Sequence, residues 1–198
     1  MKRLSMVPAL ACAVAACGGG EPADGGADAA PSVPSAAAMS SVPVPPSGPM
    51  TIPDWFRVNA DAQTVDMTLT SGSTPDNNHW NYNGATKGSM AITVPEGYTV
   101  TISLVNDDPI MAHSLGISAQ TSDFNGVPEP IAVFEGAITE NPASMVDGTM
   151  PGETATVTFV ADTAGNYSIV CYVPGHSLTG MWILFNVSSD GSVGVQRA

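Results

Sequence analysis

Basic side chains are scarce in this sequence: five lysines and arginines face 18 aspartates and glutamates across 198 residues, a formal charge of −13. Nucleic-acid binding, which needs a basic patch, is excluded on that ground. Cysteine and histidine are equally sparse, at three each, which leaves no material for several clustered metal centres. Long helices are missing as well, since no segment carries a convincing run at the 3.6-residue period. The apolar stretch from Leu4 to Ala16 falls short of the about 20 residues that span a bilayer.

Lys2 and Arg3 followed by that small, apolar stretch read as a secretory signal over residues 1–16. Val14-Ala15-Ala16-Cys17-Gly18 resembles the lipobox of bacterial lipoproteins, which implies cleavage before Cys17 and acylation of its thiol and amine. Ordinary cleavage after one of the alanines is the alternative. The expected location is exported, periplasmic or on the cell surface, with the chain lipid-anchored through Cys17 to a bacterial membrane. Gly18 to about Pro49 is built from Gly, Ala, Ser, Pro and Asp with almost no bulky residues. It cannot bury enough apolar surface to offset its ordering entropy, so residues 17–50 read as a disordered tether. About 32 such residues reach roughly 30 Å on r.m.s. average. The folded domain is expected over residues 51–198.

Loss of the signal leaves Arg57, Lys87 and Arg197 against 18 carboxylates, a balance of about −15. Such a charge steers encounter with a cationic redox protein, and serves equally as a solubility surface or an adaptation to acidic or saline surroundings. The cysteine arithmetic is simpler. Cys12 leaves with the signal and Cys17 carries lipid, so Cys171 is the one thiol remaining and no intramolecular disulfide can form. A lone thiol in an oxidising compartment is unusual. Metal ligation explains it, because a coordinated, buried thiolate is protected from oxidation.

From Thr51 onward the pattern is all-β. Val100, Ile102 and Leu104 alternate with threonine and serine, and Ala155, Val157 and Phe159 alternate with threonine. Met90, Ile92 and Val94 share one side of a third segment, and Met181, Ile183, Phe185 and Val187 one side of a fourth, taken as the final strand. Period-two alternation with Gly, Asn, Asp and Pro breaks predicts a Greek-key β-sandwich or barrel. Ser118 to Glu153 is a long insertion, with a short strand expected at Ile131 to Phe134. Insertions of this size usually carry a function or cover something.

Cys171, His176 and Met181 lie five residues apart, and His113 precedes them by 58 residues. One thiolate, two imidazoles and one thioether make the ligand set of a blue-copper electron-transfer site. Strand phase puts Tyr167, Ile169 and Cys171 on one inward face, His113, Leu115 and Ile117 on another, and Met181 at an inward strand start. His176 sits in the loop Tyr172 to Gly180, where Pro174, Gly175 and Gly180 permit a tight path. His79, in an Asn-rich turn, reads as a surface residue; Met111, Tyr172 and Trp182 read as packing. Zinc suits the set less well, because a thioether is a poor zinc ligand.

The run from Asn166 through Cys171, His176 and Met181 to Ile183 resembles the ligand loop of the cupredoxins, in particular their sulfocyanin and rusticyanin-like members. Trp80-Asn-Tyr-Asn-Gly, the strand from Ile92, and Ala112-His-Ser-Leu-Gly-Ile are similar to earlier segments of that family, so the resemblance covers about Ala60 to Val187. It implies one type 1 copper per chain, with His113, Cys171 and His176 as equatorial ligands and Met181 as a weak axial one. Ser114, after the first histidine, would hydrogen-bond near the copper-bearing loop.

The function expected from this is electron transfer with a Cu(II)/Cu(I) cycle and no chemical transformation of a substrate. Electrons would pass through the edge of His176, inside an apolar patch of Val173, Pro174, Gly175 and Leu178. The expected partners are redox proteins such as cytochrome c or a terminal oxidase, and the chain is expected to be a monomer. A copper oxidase or nitrite reductase would need more histidines than three. Periplasmic copper binding and delivery is the alternative; such sites tend to be exposed and rich in Met and His.

Overall fold

The computed structural model describes residues 46–198, so the signal, most of the tether and Cys17 lie outside the described residues. Among the described residues nine strands form two sheets. β1 (Phe56–Asn59), β2 (Thr64–Ser71), β4 (Thr99–Asn106) and β6 (Thr154–Val160) make the first, in the order β1-β2-β4-β6. β5 (Gly116–Ser118), β7 (Gly165–Val170), β8 (Trp182–Ser188), β3 (Met90–Pro95) and β9 (Gly194–Arg197) make the second, in the order β5-β7-β8-β3-β9. β2 runs parallel to β4 and β3 parallel to β8, while the other pairs are antiparallel. The all-β Greek-key sandwich expected from the sequence is the architecture observed.

Alternation explains the first sheet. In β4, Val100, Ile102 and Leu104 are fully buried while the threonines and serine between them are partly exposed. Val65, Met67 and Leu69 do the same in β2, and Val157 and Phe159 in β6. These side chains join Ile92, Val94, Ile169, Ile183, Phe185 and Val187 of the second sheet in one core. Non-directional burial drives the two inner faces together.

The second sheet is covered on both faces. β3 is buried at all six positions, so its two-sided pattern replaces the half-buried strand expected there. Ala91, Val170, Tyr172, Trp182 and Leu184 form a smaller apolar cluster with Phe124 and Ile138 of the insertion. The insertion also caps the free side of β5: Ile117 N–H donates to the carbonyl of Ala137 and Val133 N–H to that of Ile117, at 3.0 and 2.9 Å. An edge strand of three residues is thereby kept from pairing with another chain.

Three expectations need correction. Residues 131–134 form no strand, because single bonds to β5 hold them instead of a ladder. Met181 does not open the final strand: β8 starts one residue later, and β9 follows it on the far side of β3. Residues 46–50 are also tied to the domain, since Gln196 Nε2 donates to the carbonyl of Gly48 at 2.9 Å. Among the described residues no helix is long and apolar enough to cross a membrane.

Candidate metal centre

The ends of β4, β5, β7 and β8 bring four segments to one place. Cys171 follows the last residue of β7, and its amide donates to the carbonyl of Met181 at 3.2 Å, just before β8. The nine residues between them close over a single turn of helix, α1 (His176–Thr179). Gly175 and Gly180 bracket that turn with left-handed backbones, φ 87° and 116°. A side chain at Gly180 would also collide with the stem of Lys87 at its Cγ. This geometry is why a loop so short returns on itself, with Met181 N–H donating to the carbonyl of His176 at 2.9 Å.

His113 approaches from the other side. Its backbone exchanges two 3.0 Å hydrogen bonds with Thr149 of the insertion. Its Nε2 lies 2.9 Å from Asp108 Oδ2, and both side chains are buried. The second carboxylate oxygen, Oδ1, accepts the backbone N–H of Ile110 and of Met111 at 2.9 and 3.0 Å. Burial works to raise the Asp108 pKa, but those amides and the His113 ring outweigh it and hold the group ionised below the usual range. A carboxylate can only accept, so Nε2 of His113 carries the proton and Nδ1 keeps its lone pair. Sequence reading missed Asp108; its one local sign is the Asp-Pro pair that opens the turn before His113.

The Nδ1 atoms of His113 and His176 and the Sγ of Cys171 then face one another. Nδ1 to Nδ1 is 3.2 Å, and Sγ lies 3.5 Å from His176 Nδ1 and 3.9 Å from His113 Nδ1. Metal arms of about 2.0 Å to nitrogen and about 2.3 Å to sulfur, spread evenly in a plane, separate two nitrogens by about 3.5 Å and nitrogen from sulfur by about 3.7 Å. One ion fits that triangle. The three donors are fully buried, and Met181, equally buried, is tied through its backbone to both Cys171 and His176. A soft thiolate with two imidazoles and a thioether nearby matches copper in donor chemistry. His79 does not join the group; its Nδ1 lies 3.4 Å from the carbonyl of Gly72. Met111 is half-buried outside it.

Each donor is held by protein. The Ser114 hydroxyl accepts the amide of Tyr172 at 2.8 Å and lies 3.6 Å from Cys171 Sγ, and the Ser114 carbonyl accepts the Tyr82 phenol at 2.5 Å. The insertion grips the ligand loop on both sides of His176: Gly175 N–H donates to the carbonyl of Gly126 at 2.7 Å, and Ser177 Oγ to that of Asn125 at 3.1 Å. Burial raises the Cys171 pKa, opposed by the Ser114 hydroxyl and the Val173 amide. Binding of a metal as the thiolate therefore releases a proton.

His176 differs from its expected place. Its ring is fully buried, with Trp80 stacked on it at 3.9 Å between centroids and 18° between planes. Its Nε2 has no hydrogen-bond partner among the described residues. Val173 is buried too, so of the four residues expected in an apolar patch Leu178, 63% exposed, is the one large side chain truly open to solvent.

The same burial sets a pH dependence. The His176 pKa is pushed down to about 3 by burial and by the neighbouring His113, with Asp108 opposing. Burial lowers His113 as well, against the pull of Asp108. Both rings are neutral when folded, whereas in the unfolded chain they take up protons near about pH 6.5. Their contribution to metal-free stability is complete above that pH and is lost as the pH falls below it, for His176 down to about 3. Denaturant titration of the metal-free protein is expected to show a decline below pH 6.5 of at most about 1.4 kcal/mol per pH unit per ring. A flat profile between neutral pH and about 4.5 contradicts the buried neutral pair.

Residues 53–196 match the model of the sulfocyanin (SoxE) domain. A sulfocyanin of Sulfolobus acidocaldarius is 30% identical over 133 residues, which is 65% of this chain and 65% of that protein. The chain thus spans slightly under two thirds of that relative's length. Among solved structures, a mutant rusticyanin shares 22% identity at a TM-score of 0.48, over 68% of this chain and 88% of its own. A dithionite-reduced auracyanin from Roseiflexus castenholzii shares 22% at 0.44, over 62% and 96%.

Proposed function

The chain belongs to the sulfocyanin family, and from that membership we propose that it is a mononuclear type 1 copper protein that carries single electrons between redox partners. His113, Cys171 and His176 would be the equatorial ligands and Met181 the axial one. The observation that carries the reading is the buried triangle of two imidazole nitrogens and one sulfur, closing to 3.2–3.9 Å. Copper bound there would supply a one-electron couple.

The protein's own part is positioning and protection. Asp108 fixes the tautomer of His113, and the Ser114 hydroxyl and the Val173 amide favour the Cys171 thiolate. Bonds from strand ends and the insertion restrain the loop, so little rearrangement is expected between oxidation states. Complete burial of the donors excludes water and suits retention of the ion over its delivery. Voltammetry of the copper-loaded protein is expected to show a reversible one-electron wave. Copper lost on reduction would favour the delivery reading, and no wave at all would end the electron-carrier one.

Partners such as cytochrome c or a terminal oxidase fit a carrier of this kind, and the charge of −13 favours a cationic docking face. The lipobox-like run ending at Cys17 supports an exported, lipid-anchored location, with the copper domain held near a membrane. Cys17→Ala is expected to move the protein from the membrane to the soluble fraction and to abolish incorporation of labelled fatty acid. Unchanged membrane association would remove the anchor from the account.

A further inference from the structure

The buried ligand ring raises the question of how an electron reaches the surface. His176 has no exposed edge. What covers it is the indole of Trp80, which is partly exposed, packs against the main core, and lies nearly parallel to the imidazole at 3.9 Å. The hydrogen bonds around Trp80 hold that position. Asn77 Nδ2 donates to the Trp80 carbonyl at 2.8 Å, and Asn77 and Asn78 take left-handed backbones that fold the turn back over the site. On the following residue, Asn81 Nδ2 donates to the carbonyls of Thr74 and Asp76 at 2.9 and 3.1 Å. Tyr82, next along the chain, is anchored to Ser114 beside the thiolate. The indole is therefore fixed from the same network that fixes the ligands.

We propose that Trp80 is the electron port of this domain: one electron enters or leaves across the stacked indole and the His176 ring, and a one-electron partner protein docks over Trp80. The inference rests on the electron-carrier reading above. In the step the partner, a haem or copper protein, loses one electron and the copper site gains it, or the reverse. No bond forms or breaks and no proton moves. The indole serves as a bridge and is not itself oxidised. Stacking supplies the reason: removing the ring leaves a gap of about one ring thickness between His176 and any partner, which weakens electronic contact.

The test is electron self-exchange between Cu(I) and Cu(II) forms of the full protein, measured by NMR line broadening at high ionic strength. Trp80→Leu keeps an apolar cover without a ring, and Trp80→Phe keeps a ring. Trp80→Leu is expected to slow exchange by about tenfold, within the one to three decades that mutants of a docking surface span. Trp80→Phe is expected to stay nearer the parent rate. The visible band and midpoint potential of all three serve as controls for the ligand set and are expected to stay close. In the metal-free protein, the ring protons of His176 are expected to show an upfield shift that Trp80→Leu abolishes, which tests the stack without any electron transfer. If Trp80→Leu fails to hold copper, Trp80→Met takes its place. Exchange that is unchanged or faster without the ring makes Trp80 a shield and overturns the proposal, as does a Trp80→Phe rate as slow as that of Trp80→Leu. A parent protein with no redox cycle at all sinks the electron-carrier reading instead.

Discussion

Cys171→Ser is expected to erase the intense thiolate-to-copper absorption and to weaken copper binding by far more than the 10–100-fold that loss of a supporting group costs. The sulfur is the one soft anionic donor in the triangle, and a serine hydroxyl stays protonated at neutral pH. The fold should survive the change. The new hydroxyl needs a small shift toward Ser114 Oγ, which lies 3.6 Å from the sulfur, to find a partner. The cost to metal-free stability is then about 1–2 kcal/mol. Two measurements check this: the visible spectrum after copper loading, and the denaturation midpoint of the metal-free protein. A surviving intense band would place the chromophore elsewhere and remove Cys171 from the site.

Asp108→Asn separates ligand identity from ligand orientation. The amide oxygen can still accept from Ile110 and Met111, where Asp108 Oδ1 now accepts at 2.9 and 3.0 Å. The amide nitrogen then faces His113 Nε2 and can only donate. The proton of His113 must move to Nδ1, which points at the Cys171 sulfur from 3.9 Å and is needed as a lone pair. Copper affinity is expected to fall by about 10–100-fold with the fold retained. Asp108→Ala is expected to do the same and to destabilise the domain as well, because it strands two backbone donors and a ring nitrogen at about 1–3 kcal/mol each if they stay buried. Competition titration with a copper chelator measures the first effect. Parental affinity in Asp108→Asn would show that the tautomer of His113 is set by something other than Asp108.

Much of this was legible because two periods speak clearly in the chain. Strict alternation marks β4 and β6, and Val65, Met67 and Leu69 carry the same signal in β2. The spacing of Cys171, His176 and Met181 survives intact because a loop of that length between two paired strands is a local feature. The contacts across the fold were not legible. Trp80 reaches His176 over 96 residues of sequence, through a turn whose left-handed asparagines give no period to read. Asp108 acts only because its turn lays one carboxylate along two amides and an imidazole at once. The alternation of Met90, Ile92 and Val94 in β3 was readable, but not the burial of the opposite face, where Ala91 packs in one cluster with Phe124 of the insertion. For the same reason His176 could be placed on the ligand loop, but not under an indole.

The centre proposed for this domain is one buried copper held by His113, Cys171 and His176, with the thioether of Met181 as the axial donor. Visible and EPR spectra of the protein loaded with one equivalent of Cu(II) test this most directly. An intense sulfur-to-copper band in the visible range is expected, with an EPR signal showing the narrow copper hyperfine splitting of a covalent thiolate site. A weak visible absorption with the wide splitting of a tetragonal nitrogen and oxygen complex would contradict it.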